Sequence, residues 1–130
     1  MLSRNRLYGD QAAMPFQLHT KEHDRIVLVE AVGRLTLTDG HTKLRDLIHV
    51  VTGTGTKKFI LNLARVEFID SYGIGELART YSVIRQAGGE LKLAAVNPKV
   101  LEVLEISRLN TLFEIHSGDE AALQAFAQRA

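Results

Sequence analysis

The sequence predicts a single α/β domain on a largely parallel β-sheet, with its first strand antiparallel at an edge. Three observations lead there. Short apolar runs of strand length alternate with stretches whose apolar residues recur at helical spacing. The run Phe59 to Leu63 is almost continuously apolar, as in a strand covered on both faces. The chain has 130 residues and is 45% apolar, which suits one domain with its own core.

The elements follow in order. Residues 1–14, "MLSRNRLYGDQAAM", read as a polar N-terminal arm without the apolar core of a signal peptide, and the domain is expected to span 15–130. "FQLHTKEHDRIVLVEAVG" alternates, pauses at His23-Asp24 and resumes, predicting two strands joined by a tight turn. Leu44, Leu47, Ile48 and Val51 mark a first helix with one buried face. After the breaker "TGTGT" comes the strand containing Phe59 to Leu63. Ile74, Leu77, Ala78, Tyr81 and Ile84 form the stripe of a second helix, stopped by "AGGE" with Gly88 at the left-handed C-terminal position. "LKLAAV" is the next strand. Asn97 and Pro98 make an N-cap and first-turn pair for a third helix running to about Ile106. "TLFEI" reads as a last strand. "SGDE" fits a capping box, Ser117 with Glu120, that opens a terminal helix.

Composition excludes several functions. With no cysteine there is no disulfide framework, thiolate metal site or cysteine nucleophile. The formal net charge is +1, cations and anions are interspersed, and no basic block suggests a nucleic-acid groove. No apolar run approaches the roughly 18 to 20 residues of a membrane span. "GTGTK" follows a helix and precedes a strand, the reverse of a phosphate loop. His19 and His23 lie in strand and turn, and His41, His49 and His116 are scattered, so no metal ligands are expected. Ser71 lacks the flanking glycines of a nucleophile elbow. No catalytic residue and no cofactor are expected.

"VEFIDSYGIGEL" (Val66 to Leu77) stands apart. Asp70 or Ser71 suits a helix N-cap, and either alone accounts for the start of a helix. Gly73 and Gly75 then sit in the first turns, each costing up to about 1 kcal/mol relative to alanine. Small residues there serve either close approach by another molecule or tight packing of helix on sheet. An N–H-rich helix start also favours an anion.

That stretch, together with "IRQAGGELKLAAVNPKVLEVLEISRLNTLFEIHSGDEAALQAF", resembles the STAS domain family, and within it the stand-alone bacterial anti-sigma factor antagonists. The resemblance spans roughly Phe16 to Phe126. It implies a small mixed sheet with four helices mainly on one side. It implies a cytoplasmic partner-switching protein and not an enzyme. The unphosphorylated protein would bind an anti-sigma factor serine kinase, phosphorylation of Ser71 would release it, and a PP2C-type phosphatase would restore it. Asp70, Ser71, Tyr72, Gly73, Gly75 and Thr36 are the implied partner-binding positions, and the resemblance allows a weak homodimer.

A phosphate on Ser71 would bring close to two negative charges beside Asp70, Glu67 and Glu76. The sequence departs from the family's habit at Thr36, where an acidic residue is common, and at Tyr72, where a small one is. The same fold also serves as an accessory subunit of membrane transport, lipid-trafficking or signalling complexes, which is the alternative reading. A nucleotide-binding module ranks last, for want of a phosphate loop.

Overall fold

A computed structural model describes residues 15–128, so the expected arm at 1–14 lies outside the described residues. The elements are β1 (Gln17–His23), β2 (Ile26–Leu35), α1 (His41–Gly53), β3 (Lys58–Ile69), α2 (Ser71–Gln86), β4 (Glu90–Ala94), α3 (Pro98–Ile106), a 3₁₀ turn (Leu109–Thr111), β5 (Glu114–His116) and α4 (Asp119–Ala127).

The five strands stand in the sheet in chain order, with β1 antiparallel to β2 and every later pair parallel. Each connection from β2 onward moves one strand further in the same direction. Right-handed crossovers of that kind put all their helices on one face. Accordingly Leu44 and Ile48 of α1, Leu77 and Ile84 of α2, and Val100 and Leu104 of α3 pack with Val29, Leu61 and Leu93 in the larger core. No crossover constrains α4, which follows the last strand. Its Ala122 and Phe126 cover the other face over Ile26, Leu28, Ile60 and Ala94. Successive strand residues alternate between these two cores, which is why β3 reads as a continuous apolar run.

The hairpin turn falls at Asp24 and Arg25, both in the left-handed region with φ of 52° and 67°. Two such residues in succession give the turn whose twist matches antiparallel strands. The α2 helix ends as expected: Gly88 has φ of 83°, and Gly89 N–H donates to the Ile84 carbonyl at 2.8 Å.

Two expectations fail. The last strand is Glu114–His116 and not "TLFEI", because Leu109–Thr111 is taken by the 3₁₀ turn. The capping box of Ser117 with Glu120 does not form. The helix begins one residue later, with Gly118 as an extended N-cap that has no side chain to donate to. Asp119 and Glu120 in its first turn still complement the helix dipole.

Within the α4 face lies a buried cation. The Lys92 side chain is inaccessible; its Nζ donates to Glu114 Oε2 at 2.6 Å and Glu90 Oε2 at 3.1 Å, and sits 4.4 Å from the Phe126 ring centre. The hydrogen bond from Lys92 holds the Glu114 carboxyl below the usual glutamate range, against the opposing effect of burial and with help from His116.

Candidate functional site

The site is built at one end of the sheet. β3 pairs with β4 only as far as Asn62 but with β2 as far as Ile69, so its C-terminal half projects past β4. Carbonyls left without a ladder there need other donors. Asn97 supplies them: its Nδ2 donates to Val66 O at 2.6 Å and Leu63 O at 3.1 Å. Its Oδ1 accepts from Val100 N–H at 3.0 Å, capping α3 as expected.

The projecting strand delivers Asp70 and Ser71 to the start of α2. Asp70 is the N-cap, in extended conformation, and its Oδ1 accepts from Gly73 N–H at 2.9 Å. Its Oδ2 accepts from Leu37 N–H at 3.1 Å, which binds the β2–α1 loop to the helix start. With Asp70 in that role, Ser71 is free of it. Ser71 is the first helical residue, exposed, and its hydroxyl makes no hydrogen bond to any described residue.

The two glycines separate. Gly75 is exposed, and a Cβ there would meet nothing within 4 Å. Gly73 is buried, and a Cβ there would lie 2.0 Å from the Leu35 carbonyl oxygen. Of the two roles the sequence leaves open, Gly75 has the room for close approach and Gly73 serves tight packing of helix on sheet. Gly73 is small because α2 packs directly on the end of β2.

Thr36 is also turned inward, at 5% exposure. Its hydroxyl accepts from Asp39 N–H at 3.1 Å and its own N–H donates to Asp39 O at 2.6 Å, closing the loop whose tip presents Leu37. Tyr72 faces outward, half exposed, with its ring 6.5 Å from that of His41. Phe68, also half exposed, lies under the Arg34 guanidinium.

The charge around Ser71 differs from the sequence expectation in one respect. Glu67 is exposed, but Glu76 is buried and bonded to Arg45 at 3.0 and 3.3 Å, joining α2 to α1. Glu76 is thus a packing residue and adds no open charge beside Ser71. Leu37 was not singled out in the sequence; its signal is an apolar residue in the otherwise polar "TLTDG".

Elsewhere the surface offers less chemistry. An open groove floored by Ile26, Leu28, Leu123 and Phe126 runs between the β1–β2 turn and α4, and it is lined by none of the residues around Ser71. Among the described residues no cluster of three or more His, Asp or Glu is arranged to hold a metal ion, and no helix is long and apolar enough to cross a membrane.

Comparison with known proteins identifies the family and the fold. A family profile described as "STAS domain" matches residues 17–122. The anti-sigma F factor antagonist of Paenibacillus polymyxa is 29% identical over 115 residues, covering 85% of this chain and 94% of the relative. A Thermotoga maritima crystal structure superposes with a TM-score of 0.77 at 25% identity, covering 83% of this chain and 92% of the other. The Bacillus cell fate determinant SpoIIAA in its phosphorylated form shares the fold, with a TM-score of 0.66 at 22% identity over 85% of this chain and 98% of the other.

Proposed function

Because the chain belongs to the STAS domain family, we propose that it is an anti-sigma factor antagonist whose binding is switched by phosphorylation of Ser71. The partner is an anti-sigma factor that is itself a serine kinase, and a PP2C-type phosphatase resets the switch. The chain works in the cytoplasm as a binding module and performs no chemistry of its own.

One observation carries this reading. Asp70 satisfies the helix start, which leaves the Ser71 hydroxyl exposed and without a bond to any described residue. A serine serving as a cap would be engaged. Gly75 leaves open space one turn into the helix, so a partner can approach the hydroxyl closely. Leu37 and Tyr72, each about half exposed, give that partner apolar surface on either side of Asp70-Ser71.

The switch follows from electrostatics. A phosphate on Ser71 adds about 1.5 to 2 negative charges at a helix N-terminus, where the dipole favours it, so the fold survives. An interface closed over a neutral hydroxyl would have to bury that charge without matching cations, at a cost of several kcal/mol. About 1.4 kcal/mol is already tenfold in affinity.

The test is a capture experiment with three baits: the wild-type chain, Ser71→Ala and Ser71→Asp. The expected result is a kinase held by the first two and lost by the third, with Ser71→Ala no longer accepting phosphate. Stoichiometric phosphorylation of Ser71→Ala would refute the site. Recovery of one transporter component by all three baits would favour a constitutive subunit.

A further inference from the structure

The distal half of β3 breaks the alternation of its first half. From Phe59 to Leu63 successive residues turn to one core and then the other. Beyond Leu63 two exposed residues stand for each buried one: Ala64 and Arg65 before Val66, Glu67 and Phe68 before Ile69. The pairing with β2 gives the cause. Glu30 faces Asn62 but Val32 faces Arg65, and Gly33 faces Val66 but Arg34 faces Phe68, so β3 gains one residue on β2 in each interval. Two β-bulges in succession keep Val66 and Ile69 in the larger core and turn the extra side chains to the other face.

That face is bare there. Val32 and Arg34 continue the alternation of Ile26 and Leu28, so they stand on the side that α4 covers lower down. The helix begins level with Asn62, whose Nδ2 donates to Asp119 Oδ1 at 2.9 Å. It runs back toward Lys58, whose Nζ is 5.8 Å from the Phe126 ring centre. Among the described residues no helix covers the sheet beyond Asn62 on this side, and Phe68 is 51% exposed.

We propose that this bulged face is a second half of the surface that holds the chain's partner, and that it takes a partner segment bearing carboxylates beside apolar side chains. Arg34 and Arg65 receive the carboxylates, and Val32 and Phe68 the apolar groups. This rests on the function proposed above, because it assigns both surfaces to one partner.

Continuity is the first ground. β3 runs from this face directly into Asp70, and Phe68 lies three residues before Ser71. Charge is the second. Neither Arg34 nor Arg65 forms an ion pair among the described residues. The Arg34 guanidinium lies 5.6 Å from the Phe68 ring centre, which holds it in place and leaves its edge donors open for a carboxylate. Arginine and aromatic side chains are the types that anchor protein interfaces. An anionic membrane is gripped by clusters of about 4 to 8 cations, and nucleic acid by a basic patch or stripe. Two arginines with Glu67 beside them suit neither.

The test places p-benzoylphenylalanine singly at Tyr72, Ala64 or Val50 in the full chain, in its native cells, followed by irradiation. Val50 is exposed on α1, away from both surfaces. The same protein should be joined through Tyr72 and through Ala64, and not through Val50. The peptide joined to Ala64 should carry Asp or Glu. With that protein purified, Arg34→Glu with Arg65→Glu should weaken binding by about tenfold or more. Both side chains are exposed, so the domain's melting temperature should hold. Joining through Tyr72 but not Ala64, a different protein at Ala64, or unchanged affinity after charge reversal overturns the proposal and leaves the Ser71 reading standing. A product at neither Tyr72 nor Ala64, or at Ala64 alone, overturns both.

Discussion

Asp70 and Leu37 are 33 residues apart in the chain, yet the Asp70 carboxylate accepts the Leu37 N–H at 3.1 Å while its other oxygen caps α2. One side chain thus fixes both the helix that carries Ser71 and the loop beside it. Replacing it with alanine removes a cap worth about 1 kcal/mol and a second bond of about the same size. Asp70→Ala should lower unfolding free energy by about 2 kcal/mol in urea titration, and Asp70→Asn by less. Equal, near-zero losses in both variants would mean that the carboxylate holds neither element.

Gly73 and Gly75 should respond in opposite directions. Gly75→Ala fills open space and gains helix propensity, up to about 1 kcal/mol. Gly73→Ala drives a methyl into the Leu35 carbonyl and should lose about 1 to 3 kcal/mol, as overpacked sites do. Thermal melts of the two single variants decide this, and a shared sign contradicts the packing described.

The Asn97 side chain donates to Leu63 O, Val66 O and, at 3.5 Å, Ala64 O, and accepts from Val100 N–H. Asn97→Ala strands these carbonyls of β3 and uncaps α3. A loss of about 2 to 4 kcal/mol is expected from one cap and the unsatisfied groups together. Amide exchange should accelerate in Leu63 to Ile69 more than in β4. Uniform acceleration would argue against a local role.

Thr80 is 1% exposed and its hydroxyl has no partner among the described residues. Desolvating a hydroxyl without a bond costs about 1 to 3 kcal/mol. Thr80→Val keeps the shape and removes that cost, so the urea midpoint should rise. A fall would reveal a bond the hydroxyl makes in solution.

The Glu114 carboxyl titrates lower in the folded chain than in the unfolded one, chiefly through its hydrogen bond from Lys92. A depressed folded value contributes stability that is fully present above the unfolded value, about 4.3 for an ordinary glutamate. It is lost as pH falls through the folded value. The difference in urea midpoint between wild type and Glu114→Gln should therefore be largest near neutrality and shrink in acid. Lys92, Glu90 and His116 share the cluster, so the same titration in Glu90→Gln separates their parts. A difference that grows in acid would reverse the assignment.

Much of the architecture was legible because periodicity reports burial. Phe59 to Leu63 announced a strand between two cores, and Leu44 and Ile48 announced the inward face of α1. Asn97-Pro98 announced a helix start, since few residue pairs suit both positions. What escaped the sequence depends on contacts between distant residues. No local pattern tells whether Asp70 or Ser71 caps, because the answer turns on Leu37. Likewise Gly73 and Gly75 look alike in sequence and differ only in what lies beneath them. Glu76 reads as an open charge until Arg45 is found across the helix pair.

The sheet's strand order has a bearing on how the chain is made. Each strand lies beside its immediate predecessor. During synthesis every new strand therefore meets a neighbour already formed, while the face of β2 and β3 that α4 covers waits for the last helix. Domains fold as units as they emerge from the ribosome. β2, β3 and α2 precede β5 and α4, so the Ser71 end is assembled before the far edge of the sheet and its α4 cover.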